Sequence, residues 1–97
     1  MFPLHKRVSL VLGWLLQGQT IEFEFCGRQQ VVGMSEDYKI VFEMRRERRI
    51  DGEKKIDTVY MGHDIKVGEL LNIVEKMPTE RFVELAANAA LNKIKGR

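Results

Sequence analysis

The stretch that decides the fold is Ile40-Val41-Phe42-Glu43-Met44-Arg45-Arg46-Glu47-Arg48-Arg49-Ile50-Asp51-Gly52-Glu53-Lys54-Lys55-Ile56-Asp57-Thr58-Val59-Tyr60-Met61. Asp-Gly is favoured in two-residue hairpin loops, where both central positions need a positive φ. Pairing outward from that loop sets Ile50 opposite Glu53, Arg48 opposite Lys55, Arg46 opposite Asp57, Met44 opposite Val59 and Phe42 opposite Met61. Ile40, Phe42, Met44, Val59 and Met61 then share one face and are expected to meet the core.

Along that face the residues turn from apolar (Ile40, Phe42, Met44) to charged (Arg46, Arg48). An unpaired charge entering a core costs several kcal/mol, so the hairpin is expected to leave the body and stand solvated on both faces. Of its opposed residues, only Arg46 and Asp57 form an obvious ion pair. Arg48 opposite Lys55 is a like-charge pair and mildly destabilising.

Upstream, Thr20-Ile21-Glu22-Phe23-Glu24-Phe25 alternates strictly, with Ile21, Phe23 and Phe25 on one face and two glutamates on the other. This is the pattern of a half-buried strand. A turn at Gly27-Arg28 leads to a second strand over 29–34, and Ser35-Glu36-Asp37 turns the chain into the third strand. Before the sheet, Leu4, Val8, Val11, Leu12 and Leu15 recur at helical spacing, with Pro3 suited to the first turn and Gly18 to the end. After it, Asp64 is a plausible cap for a helix carrying Val67, Leu70, Leu71, Val74 and Met77. Pro78 stops that helix, and Thr79 can begin another bearing Phe82, Leu85, Ala86, Ala89 and Ala90.

The expected fold is therefore α+β. An N-terminal helix, a four-stranded antiparallel meander with a protruding charged hairpin, and two C-terminal helices form one domain over 1–97. Ninety-seven residues leave room for a single core.

Several chemistries are disfavoured. The lone Cys26 makes no internal disulfide or thiolate zinc site, and a reducing, cytoplasmic setting is expected. It reads as a small hydrophobe at a strand end. His63-Asp64 is too few ligands for a metal, and Glu80 with Glu84 reads as an exposed helical pair. Gly13-Trp14-Leu15-Leu16-Gln17-Gly18-Gln19-Thr20 has phosphate-loop glycine spacing but lacks the lysine and is flanked by the wrong elements. No apolar run reaches the roughly 20 residues needed to span a bilayer. Lys6 and Arg7 before Val8–Leu16 imitate a secretory signal, but no small-x-small site follows. The expectation is a protein that is not an enzyme, with no cofactor, no metal and no membrane partner.

The basic feature is local. Arg45, Arg46, Arg48, Arg49, Lys54 and Lys55 stand against Glu47, Asp51 and Glu53, a net +3 within a chain whose total is +2. A basic β-ribbon fits a polyanion such as nucleic acid or a nucleoprotein, with Lys93, Lys95 and Arg97 as helpers. Aromatic interleaving is missing from the tip, which argues against base stacking on single strands. The rival expectation is a small inhibitor or adaptor with one protein partner, on the analogy of compact phage-encoded antagonists of host nucleases or polymerases. It would use the hairpin or an exposed Leu10/Trp14 pair. A monomer or homodimer suits either.

Overall fold

A computed structural model describes the backbone of residues 3–95 and the side chains as far as residue 92. The order is α1 (Leu4–Leu16), β1 (Ile21–Phe25), β2 (Arg28–Met34), β3 (Ile40–Ile50), β4 (Glu53–Gly62), α2 (Val67–Glu75) and α3 (Thr79–Lys95). The four strands form one antiparallel sheet in the order β1-β2-β3-β4. This is the α+β meander that the alternating pattern predicts.

Left-handed backbone recurs at the turns, Tyr38 (φ 60°) between β2 and β3 among them. Gly18, at φ 87°, ends α1. Asp51 (φ 53°) and Gly52 (φ 80°) close the β3–β4 hairpin, and Cys26 (φ 52°) with Gly27 (φ 74°) closes the β1–β2 hairpin in the same way. The first hairpin thus turns one residue earlier than expected, and Cys26 is an exposed loop residue rather than a strand-end hydrophobe. Asp64 does not cap α2. It lies in a left-handed turn and accepts a bond from Lys66 Nζ at 3.1 Å, while Lys66 occupies the capping position.

The core lies between the helices and one face of the sheet. Ile21, Phe23, Val32, Ile40 and Phe42 come from the strands; Val11, Leu15, Leu70, Val74, Phe82 and Leu85 come from the helices. Trp14 packs on Phe82 with ring centroids 5.4 Å apart and is only 6% exposed. The Leu10/Trp14 surface required α2 and α3 to leave this flank open, and Trp14 is covered. The ring lies on a different flank of α1 from the main stripe, and α3 covers that flank, leaving only Leu10 at the surface.

Arg7 is buried in the same region. Its Nη1 donates to the Met77 carbonyl at 3.1 Å, its Nη2 donates to Thr79 Oγ1 at 2.7 Å, and its guanidinium lies 5.0 Å from the Phe82 ring centroid. A cation that flanks an apolar run in the sequence thus ties α1 to the α2–α3 junction. Its burial is compensated by hydrogen bonds and ring contact.

The β3–β4 register follows the expected pairing from Ile50↔Glu53 as far as Arg45↔Thr58, then slips. Met44 pairs with Tyr60 and Phe42 with Gly62, so Val59 is the extra residue of a β-bulge. Val59 and Met61, expected in the core, are consequently exposed, with Met61 on the outer face opposite Glu43. Tyr60 takes the inner position instead, its ring centroid 6.0 Å from that of Phe42.

Phe82 joins Trp14, Arg7 and the sheet-facing core. Phe82→Ala is expected to lower stability by about 3–5 kcal/mol in urea denaturation. Leu91→Ala, on an exposed stretch of the same helix, should shift it by less than about 0.5 kcal/mol. Equal effects would contradict this placement of the core.

Candidate functional site

Antiparallel partners share a sheet face, so the register assigns every distal side chain to a side. Below the helices lie Phe23, Gln30 and Met44; continuing outward on that inner face come Phe25, Arg28, Arg46 and Asp57, then Arg48 and Lys55, then Ile50 and Glu53. The outer face carries Glu22, Glu24, Gln29, Val31, Glu43, Arg45, Glu47, Arg49, Lys54, Ile56 and Thr58.

The helices stop short of the inner distal face. Gln30 is the last fully buried residue along β2, its Nε2 donating to the Arg28 carbonyl at 3.3 Å. Beyond it Arg28 is exposed, as is β3 from Arg46 onward. Arg28↔Arg46 is the last β2–β3 pair, so Glu47–Ile56 is a two-stranded arm. Lys76, at the end of α2, reaches over this surface, its Nζ 5.6 Å from the Phe25 ring centroid.

The two faces differ in charge. The inner distal face gathers Arg28, Arg46, Arg48, Lys55 and Lys76 against Glu53 and Asp57. The outer face sets Arg45, Arg49 and Lys54 against Glu22, Glu24, Glu43 and Glu47. The six cations of the ribbon are therefore not one site. Arg46, Arg48 and Lys55 belong to the basic face; Arg45, Arg49 and Lys54 lie on the acidic one. Arg28 and Lys76 join the basic face through register and helix packing, which the local run of arginines does not reveal.

Ion pairing sorts the cations further. Asp57 faces Arg46 in register but pairs with Arg48, the diagonal neighbour, which corrects the expected Arg46–Asp57 bridge. Lys54 pairs with Glu47 at 2.8 Å and Lys55 with Glu53 at 3.5 Å. Arg45 is held by Glu43, whose carboxylate also accepts from Thr58 Oγ1 at 3.3 Å. Among the described residues, Arg28, Arg46 and Arg49 have no carboxylate partner, and Arg28 makes only a 3.6 Å contact from Nη1 to Met44 Sδ. Exposed pairs of this kind are worth at most about 1 kcal/mol each, so an incoming anion can exchange for the internal carboxylate. Lys93, Lys95 and Arg97 lie outside the described side chains.

Among the described residues, no cluster of three or more His, Cys, Asp or Glu could hold a metal ion, and no helix is long and apolar enough to cross a membrane. Comparison with known proteins found no matching family model, no similar curated protein and no similar solved structure.

The Arg45 hydrogen bond holds the Glu43 carboxyl below its ordinary value of 4.5, and Glu43 in turn raises Arg45. A lowered folded-state value stabilises the protein above the unfolded value and loses that effect as pH falls through the folded one. Glu43→Gln is thus expected to be less stable than the parent at neutral pH, with the difference closing well below pH 4.5 in urea titrations. A difference unchanged into the acid range would contradict the pairing.

Proposed function

We propose that the protein is a non-catalytic binding module that docks the inner distal face of its β3–β4 arm on a polyanion, with duplex nucleic acid as the favoured partner. The observation that carries this reading is the directly opposed pair Arg28↔Arg46, two guanidinium groups with no carboxylate partner among the described residues on a solvated sheet face, continued by Arg48 and Lys55. Stability alone disfavours like charges placed opposite one another. An anionic partner turns the same arrangement into an attraction, and guanidinium forks bind phosphate or guanine edges bidentately.

The width of the partner follows from the arm. A two-stranded ribbon enters the major groove of B-form duplex, whereas a single strand calls for stacked aromatics. Near the tip the large apolar groups among the described residues are Ile50 and Ile56, neither of which offers a π-face; Phe25, 37% exposed beside Arg28, stands at the base of the docking face and not along the arm. The competing idea of a protein-binding α1 surface loses its anchor with the burial of Trp14.

Anisotropy titrations with a short DNA duplex test this reading. If Arg28, Arg46, Arg48 and Lys55 each neutralise one phosphate, log affinity falls against log salt with a slope of about −3.6. Arg46→Glu with Arg48→Glu should abolish binding and Arg28→Glu should weaken it by more than about tenfold, whereas Arg49→Glu on the outer face should have a much smaller effect. Salt-independent binding, or equal losses from Arg28→Glu and Arg49→Glu, would overturn the assignment.

A further inference from the structure

The two edges of the sheet are treated differently. At β1, Arg81 Nε reaches from α3 and donates to the Glu22 carbonyl at 2.7 Å, covering a strand of only five residues. The outer edge of the ten-residue β4 has no such cover: among the described residues, no side chain or loop hydrogen-bonds to its backbone. β4 also concentrates exposed apolar side chains, namely Ile56, Val59, Tyr60 and Met61, with Ile56 66% exposed. An open, apolar edge strand is a template for pairing with another strand.

We propose that β4 pairs antiparallel with β4 of a second copy of this chain, over Lys54–Thr58 and centred on Ile56. The bulge at Val59 ends the flat part of the edge, which limits the pairing to the segment between the turn and the bulge. A twofold axis through Ile56 sets Ile56 against its own counterpart on the outer face. It sets Lys55 opposite Asp57 of the second copy on the inner face, and the symmetry repeats that match.

Within one chain both charges are paired but only partly desolvated, and each can exchange its partner. Lys55 faces Arg48 directly and reaches only Glu53, at 3.5 Å, while the Asp57 side chain keeps 34% of its surface exposed beside Arg48. No other alignment within this segment both opposes Lys55 to a carboxylate and buries Ile56 on itself. The twofold axis runs normal to the sheet, so both inner faces point the same way. The Arg46, Arg48 and Lys55 sets of the two copies then form one basic floor between two helical layers. The dimer stands on edge and charge geometry alone; only the use of that floor for an anion rests on the proposed function.

Sedimentation velocity without nucleic acid tests it. The parent protein should show a concentration-dependent dimer, and Ile56→Lys should weaken it by at least about tenfold, because the axis then opposes two ammonium groups. Circular dichroism should be unchanged, since the side chain is mostly solvated. Tyr38→Lys, an exposed site in the β2–β3 turn, should leave the dimer intact. In a Cys26→Ser background, Ile56→Cys should cross-link to itself under mild oxidation. A parent monomeric at its highest soluble concentration, or a dimer that survives Ile56→Lys, would overturn the proposal. Loss of duplex binding with the dimer retained would overturn only the proposed function.

Discussion

The period-two geometry of β2 and β3 governs the rest of the molecule. Once Val32, Ile40 and Phe42 are driven beneath the helices, every second residue along both strands is committed to that same side. Arg28, Arg46 and Arg48 therefore face the way the core faces, at a distance where no helix covers them. Burial at one end of the sheet orients the charges at the other. A one-residue slip of β3 would move Phe42 into solvent and carry the arginines to the acidic face, so the core and the basic surface hold each other in register.

The helical layer sets where burial ends. Phe82, Trp14 and the buried Arg7 bind α1, α3 and the α2–α3 junction into one unit. Lys76 at the end of α2 extends over Phe25 at the margin of the exposed face. That face thus has a sheet floor and one helical wall, and the cations come from two strands of the arm, from β2 and from a helix end. The glutamates of the outer face leave the sheet with opposite charge bias on its two sides, which gives an approaching polyanion a preferred side.

Much of this is legible in the residues themselves. The alternation at Ile21–Phe25, the Asp51-Gly52 loop and the helical spacing around Val8 and Leu70 give the element order and the first six pairs of the long hairpin. The slip at Val59 is not legible, because a bulge is fixed by how Tyr60 packs beside Phe42 and not by a local turn signal. Trp14 lies off the main stripe of α1, and only the position of α3 decides that it is buried. The basic run points to the arm, yet its six cations divide between two faces, by even or odd spacing from Phe42 along β3 and, because the Val59 bulge inverts that spacing along β4, by cross-strand register for Lys54 and Lys55. For β3 that signal is local: Arg46 and Arg48 share the parity of Phe42, whereas Arg45 and Arg49 do not. Arg28 and Lys76 join through contacts distant in sequence, which no local pattern carries.

The most direct measurement is nuclear magnetic resonance mapping of the guanidinium and amide signals as a short DNA duplex is added. Docking through the inner face gives the largest shifts at the side chains of Arg28, Arg46 and Arg48, a smaller response at Lys76, and little change at Arg49, Glu22 or Glu24. Shifts centred on the outer-face residues, or none in the arm at saturating duplex, would contradict it.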